Sequence, residues 1–298
     1  MTGLIGAIEA GGTKTVCALG SSVEEITDGP KLIVPSPSPL ETVNDIFDWI
    51  DDRRGGASLE AIGVGTFGPV DLTAGRISRS TPKIAWRGFS WSEAIQDRFG
   101  EITVAVDTDV DAAGIAEWRW GASRGCDVSV YITVGTGFGG ALVVGGQPLH
   151  GLQHPEFGHM MVPRVAGDDF SGVCLSHGDC LEGLASGVAI EERWGIDGSQ
   201  LPPSHPAWEL ESDYLAAAVA NVIAIGSPQS VVLGGGVMSV EGLIEKVRAK
   251  TRLRLGDYFT SRELHDGMDS FLVLPALGAS AGVLGAFALG LDAAMGAN

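Results

Sequence analysis

Leu4-Ile-Gly-Ala-Ile-Glu-Ala-Gly-Gly-Thr-Lys-Thr-Val-Cys-Ala-Leu19 sets Gly11, Gly12, Thr13 and Lys14 between two apolar runs. The pattern predicts a strand, a tight glycine turn and a returning strand. The turn offers backbone N–H groups, a hydroxyl and a lysine, all donors suited to phosphate oxygens. It is not a Walker A loop, because the spacing differs and a strand follows where that loop needs a helix. A plain hairpin would look much the same, so this turn is weak evidence alone. Val128–Val134, then Gly135-Thr136-Gly137-Phe138-Gly139-Gly140, then Ala141–Val144 repeat the arrangement. Two such units about 125 residues apart suggest an internal duplication, each half supplying one phosphate loop.

Around these turns the chain reads as strands and helices in alternation. Leu40–Ile50 has Val43, Ile46, Phe47 and Ile50 at helical spacing. Ala61–Phe67 is a buried strand running into Gly68-Pro69, and Ser80–Trp86 a polar loop. Trp91–Phe99 reads as a helix, Ile102–Val106 as a strand and Ala112–Trp120 as a helix. Further on come helices at Gly187–Trp194 and Leu210–Ile225, and a strand at Ser230–Leu233 that ends in Gly234-Gly235-Gly236. Helices are expected over Val240–Leu255, a strand at Leu272–Pro275 and a last helix at Ala279–Ala294. Strands alternating with helices from Val104 onward predict an α/β architecture with a partly parallel sheet. The triple glycine leaves room for a flat ring, such as adenine, against the backbone.

Asp107-Thr108-Asp109-Val110-Asp111 joins the Ile102 strand to the next helix. One acid there would be an N-cap. The helix N-terminus should favour these anions and lower their pKa. Acids at the carboxyl end of a strand in an α/β sheet lie where catalytic groups sit, and one could act as general base.

His154-Pro-Glu156-Phe-Gly-His159 and Cys174-Leu-Ser-His177-Gly-Asp-Cys180-Leu-Glu182 concentrate soft and borderline ligands. His159, Cys174, His177 and Cys180 suit tetrahedral Zn²⁺, which would tie a long loop to a short one. The plainer alternatives are buried cysteines with solvated histidines, or a Cys174–Cys180 disulfide. Glu156 and Glu182 flank the ligands and could accept from sugar hydroxyls, the metal being structural.

Composition narrows the partners. Asp and Glu number 37 against 19 Lys and Arg, a net charge of −18, which argues against nucleic acid or an anionic membrane. Glycine is 44 of 298 residues, about twice the usual ~7% share, and clustered at turns. No charged-then-apolar leader opens the sequence, and the apolar Ala276–Leu291 segment is interrupted by glycines and short of the ~20 residues of a span. A cytoplasmic protein is expected.

Ile8–Lys14, Thr133–Gly140, Glu156-x-x-His159, the Cys174–Glu182 run and Leu233–Gly236 together resemble the ROK sugar kinases, from about Gly6 to the C-terminus. Ile8–Lys14, Cys174–Gly187 and His205–Trp208 are most similar to its bacterial zinc-containing fructokinase branch. The resemblance implies an actin-like (ribonuclease H-like) ATPase fold with sugar and ATP in a cleft between two domains. These would be residues 1–117, joined by the C-terminal helix 279–298, and residues 118–278 with the zinc loop. It implies Asp109 as general base and Gly68, Thr108, Glu156, His159 and Glu182 as sugar contacts. Gly11, Gly12, Thr13, Lys14, Thr136, Gly137 and Gly139 match the phosphate loops, and Gly234, Gly235 and Gly236 the adenosine loop. Two departures stand beside the base: Thr108 and Asp111 each occupy a family asparagine position. Glu9 stands where many relatives have aspartate. The implied reaction is phosphorylation of fructose by ATP with Mg²⁺, in a homodimer. The alternatives are the same chemistry on mannose, glucose or an N-acetylated hexosamine, a non-catalytic sugar-binding protein, or a sugar-responsive repressor.

Overall fold

The computed structural model describes residues 3–296. It divides into two compact units. Unit 1 comprises residues up to Ala116, His150–His154, and Leu277 onward; unit 2 comprises Glu117–Leu149 and Pro155–Ala276. The chain begins with β1 (Leu4–Ala10), β2 (Lys14–Gly20), α1 (Val23–Asp28), β3 (Leu32–Pro35), α2 (Pro39–Arg54) and β4 (Leu59–Thr66). A small hairpin, β5 (Val70–Asp71) and β6 (Arg76–Ile77), precedes α3 (Trp91–Phe99), β7 (Thr103–Thr108) and α4 (Asp109–Trp120). Then come β8 (Val128–Val134), β9 (Phe138–Val144), β10 (Gln147–Pro148), α5 (Leu181–Ala185), α6 (Gly187–Trp194), α7 (Ala207–Gly226), β11 (Ser230–Gly234), α8 (Leu243–Leu255), α9 (Met268–Phe271) and β12 (Leu272–Val273). The last helix, α10 (Ala281–Met295), returns to unit 1.

The two main sheets have one topology. In unit 1 the order is β3-β2-β1-β4-β7, and in unit 2 it is β10-β9-β8-β11-β12. In each, the first three strands pair antiparallel and the last two add in parallel. The β1–β2 hairpin and the β8–β9 hairpin hold the same place, so the similarity of the two glycine turns extends to whole sheets.

Unit 1 is layered. Ile8, Ile62 and Val64 join Val43, Ile46, Phe47 and Ile50 of α2 and Trp91 and Ile95 of α3 in one buried cluster. Gly63 points to the other face, where its missing Cβ lets the α10 backbone approach at Ala286 and Gly290. By length and composition α10 and its lead-in, Gly278–Met295, could cross a membrane, but its side chains pack on β1, β4 and β7. Helix α2 runs well beyond the predicted Leu40–Ile50. Ser38 caps its start by accepting from the Glu41 N–H at 3.4 Å, Pro39 occupies the first turn, and left-handed Gly55 ends it. Unit 2 has its own core, in which Val130, Ile132 and Leu233 of the sheet meet Tyr214, Leu215 and Val219 of α7.

Strand register brings the chemistry to one edge in each unit. Ala10 pairs with Thr66 and Thr66 with Thr108, so the Gly11 turn, Gly68 and Asp109 all follow the aligned carboxyl ends of β1, β4 and β7. In unit 2 Thr133 pairs with both Gly139 and Gly234, which sets the second glycine turn beside the triple glycine.

Candidate active site

Asp107 and Thr108 end β7, and α4 begins directly at Asp109. The predicted helix start at Ala112 is therefore three residues late. The reason is the cap, which is Thr108 and not an aspartate. Its Oγ1 accepts the Asp111 N–H at 3.0 Å and donates to Asp111 Oδ2 at 2.8 Å, while its own N–H donates to Asp107 Oδ1 at 2.7 Å. This reciprocal bonding fixes the turn that carries Asp109.

Asp109 and Asp111 are not held below their ordinary range, as a helix N-terminus alone would have it. Asp109 is only half-buried by its own surface, yet the atoms packed round its carboxyl strip it of water and push it up to about 6. The Val110 backbone N–H opposes that rise and the Asp111 charge adds to it. Burial likewise pushes Asp111 up to about 6. A helix-terminus effect is worth ~0.3–1 kcal/mol at an exposed site, and here desolvation outweighs it.

Three further groups act on Asp109. Burial pushes Glu9 up to about 7, and the charge of Asp109 adds to that. Burial holds Lys83 below the usual lysine range, while Asp109 works in the opposite direction. The Lys83 ammonium also stands 4.4 Å above the Phe67 ring. His154 is buried, its Nε2 accepts the Val70 N–H at 3.2 Å, and its ring lies against Gly68, 3.4 Å from where a Cβ would be. Lys83 carries no functional signal in the sequence, because it lies in an irregular loop. Its only local signal is a cation between Pro82 and an apolar run.

The two glycine turns differ in exposure. At the first, Gly11 N–H donates to Lys14 O at 3.0 Å, and Gly12, Thr13 and Lys14 are exposed at the tip. At the second, Gly135 N–H donates to Gly137 O at 2.9 Å, with Thr136 exposed. Gly235 requires its glycine: φ is 91° and a Cβ would lie 2.3 Å from Val134 O. Gly234 is buried, and Gly235 and Gly236 are exposed.

His159, Cys174, His177 and Cys180 converge, with ligand atoms all within 4.8 Å of one another. Cys174 Sγ is 3.8 Å from His159 Nδ1 and 3.7 Å from His177 Nδ1, and Cys180 Sγ is 3.6 Å from His159 Nδ1. Tetrahedral zinc with Zn–S ~2.3 Å and Zn–N ~2.0–2.1 Å puts sulfur and nitrogen roughly 3.6 Å apart, so these residues fit the ion. All four cysteines are free thiols, which removes the disulfide alternative. Burial pushes the Cys180 thiol up to about 11, so a thiolate there calls for a cation. Glu156 is exposed just before the short 3₁₀ turn Phe157–His159. Glu182, in the first turn of α5, accepts the Phe138 N–H through Oε2 at 3.0 Å.

Residues 5–293 match the ROK family. The chain belongs to the ROK family. A fructokinase of Zymomonas mobilis is 40% identical over 300 residues, covering 97% of each chain. A fructokinase of Pediococcus pentosaceus is 35% identical over 291 residues, covering 96% of this chain and 97% of the other. The solved ROK family glucokinase of Streptomyces griseus, in complex with glucose and AMPPNP, matches with a TM-score of 0.75 and 26% identity. That match covers 97% of this chain and all of the other. The fold is the actin-like ATPase fold of ROK sugar kinases, consistent with the paired sheet topologies.

Proposed function

We propose that this ROK protein is a cytoplasmic fructokinase, transferring the γ-phosphoryl group of Mg·ATP to the primary hydroxyl of D-fructose. The observation that carries the reading is the Thr108-capped turn, which presents Asp109 at the carboxyl ends of the parallel strands β1, β4 and β7 with its carboxyl raised to about 6. A carboxylate poised near the working pH suits general-base work. Asp109 accepts the hydroxyl proton as the sugar oxygen bonds to the γ-phosphorus, and the bond from that phosphorus to the β-phosphate oxygen breaks to release ADP. Lys14 and the N–H groups of Gly11, Gly12, Thr13, Thr136, Gly137 and Gly139 offer charge and dipoles to the phosphate oxygens. Gly234, Gly235 and Gly236 take the adenosine. Gly68, Thr108, Glu156, His159 and Glu182 read the sugar.

The four-ligand set His159, Cys174, His177 and Cys180 would hold a structural Zn²⁺. Such an ion supplies cross-linking and takes no part in the chemistry. His159 and the adjoining Glu156 then stand on a tethered loop, which orients both toward substrate hydroxyls.

Fructose is favoured over other hexoses by the relatives named fructokinases at 35–40% identity. The test is a coupled ADP-release assay with Mg·ATP on fructose, mannose, glucose and N-acetylmannosamine. Fructose should lead in kcat/KM by about tenfold or more. Another sugar in front would keep the kinase and move the substrate. Absence of turnover on every sugar, in folded protein, would leave a sugar-binding protein.

A further inference from the structure

The turn that carries Asp109 holds more negative charge than its surroundings should tolerate. Asp107 and Asp111 are 4% and 1% exposed, and Asp111 Oδ1 is buried without a hydrogen-bond partner. Two buried carboxylates this close destabilise one another unless a cation offsets them. The offset comes from far along the chain. His150 Nε2 lies 3.3 Å from Asp107 Oδ1 and 3.5 Å from Asp111 Oδ2. His150 opens a five-residue segment, His150–His154, that belongs to unit 1 although the chain on both sides of it belongs to unit 2. Imidazoles hold the segment at both ends, His150 on the two acids and His154 on the Val70 N–H.

We propose that His150 is a positioning residue whose imidazolium clamps Asp107 and Asp111, holding the Thr108 cap and the Asp109 that follows it in working geometry. For its catalytic consequence this rests on Asp109 being the kinase base; the clamp itself does not. The protonated state follows from the contacts. Hydrogen bonding to Asp107 and then Asp111 pushes His150 up to about 10, so it stays charged through the neutral range. It is a fixed counter-ion, not a switch. The other charged groups near Asp109 are Glu9 on β1, Lys83 in the loop before α3, and His154. The groups that act on the Asp111 carboxyl are a different set: His150, Asp107 and Thr108.

The chain thereby carries an ion-paired group at the asparagine position that Asp111 replaces. An aspartate there is workable only with a cation opposite, and His150 is that cation. A divalent ion is the competing occupant, since the three ligand atoms lie within 4.8 Å of one another.

Two readouts test this. The first is an imidazole ¹H–¹⁵N titration, with His150 assigned by its loss in His150→Gln. His150 should titrate at least roughly a unit above the ordinary ~6.5, and Asp111→Asn should lower it. A titration at the ordinary value, or one indifferent to Asp111→Asn, overturns the clamp. So does a His150 signal that changes on chelation in a Cys174→Ser background, which would mean a metal. The second readout is kinetic. His150→Gln should move the acid limb of kcat/KM upward by roughly half a unit and lower kcat at neutral pH about tenfold. Adding Asp111→Asn should bring the limb back, and His150→Lys, which keeps the charge, should stay nearer wild type. A limb unmoved in folded His150→Gln overturns the positioning role. Wild-type protein inactive on every hexose would sink the kinase reading and leave the titration to decide the clamp.

Discussion

Glu182 Oε2 accepts a hydrogen bond from the Phe138 backbone N–H at 3.0 Å. The bond ties α5, which directly follows Cys180, to the end of the second glycine turn. Gly137 is part of the same joint, since a Cβ on it would come within 2.8 Å of that oxygen. Glu182 therefore shapes the second glycine turn, the proposed phosphate loop, besides any contact it makes with sugar. A backbone N–H left without a charged acceptor costs ~1–3 kcal/mol. Glu182→Ala is expected to raise the KM for ATP about tenfold, corresponding to ~1.4 kcal/mol. Glu182→Gln keeps an acceptor oxygen and should lose much less on ATP. Steady-state kinetics with ATP varied will separate them, and equal losses in the two variants would mean that the charge, not the joint, matters.

Asp109 stands in the first turn of α4, and Lys83 and His154 act on it through charge. Asp109→Asn keeps the shape of the side chain and removes the proton acceptor. Turnover should fall by about 10²–10⁴-fold. Fructose and nucleotide affinities, read by calorimetry, should stay close to wild type. A kcat within tenfold of wild type would remove Asp109 from the role.

The pH dependence follows from the raised carboxyl. A base must be deprotonated to accept a proton, so activity is lost as pH falls through its pKa. With Asp109 at about 6, kcat/KM should be level above that value and fall about tenfold per unit below it. A carboxylate at its ordinary ~3.9 would carry activity two units lower. Asp111→Asn removes one of the charges that raise Asp109, so the limb should move to lower pH. A limb near 4 in the wild type would show that burial does not act on this group as the structure has it.

Much of this was legible locally. The two glycine turns and the helices Trp91–Phe99 and Gly187–Trp194 rest on short-range signals, and they fall where those signals put them. The convergence of Cys174, His177 and Cys180 was legible for the same reason, because C-x-x-H-x-x-C spacing is a local property. Other features depend on packing that no window contains. Helix α4 starts early because Thr108 and Asp111 bond to each other, a capping pattern hidden among three acids. Strand β12 stops at Val273, two residues short of the predicted Pro275; proline offers no N–H, and its ring lies against Gly234. His150 has no signal at all in sequence, since its partners are some forty residues upstream. The raised acids escaped for a related reason, as burial of a turn is decided by what folds over it.

The Cys–His set invites a prediction about what the metal does and does not support. Fourteen residues separate His159 from Cys174, and this loop has a second set of anchors. Arg164 donates to Asp168 O at 2.9 Å and pairs with Asp179 at 3.1 Å. Arg193 of α6 pairs with Asp168 at 3.1 Å, and Tyr214 of α7 hydrogen-bonds to the same carboxylate. The core of unit 2 lies on β8, β11 and α7, where none of the four ligands except Cys180 is deeply buried. Loss of the ion should therefore loosen the loop without unfolding the unit. Cys174→Ser is expected to drop bound zinc from about one ion per chain to none, because a hydroxyl is a far weaker zinc ligand than a thiolate. Far-UV circular dichroism should change little, while proteolysis within residues 160–179 speeds up and the KM for fructose rises. Global loss of secondary structure on chelation would show that the metal carries the whole unit. A full zinc complement in Cys174→Ser would remove Cys174 from the ligand set.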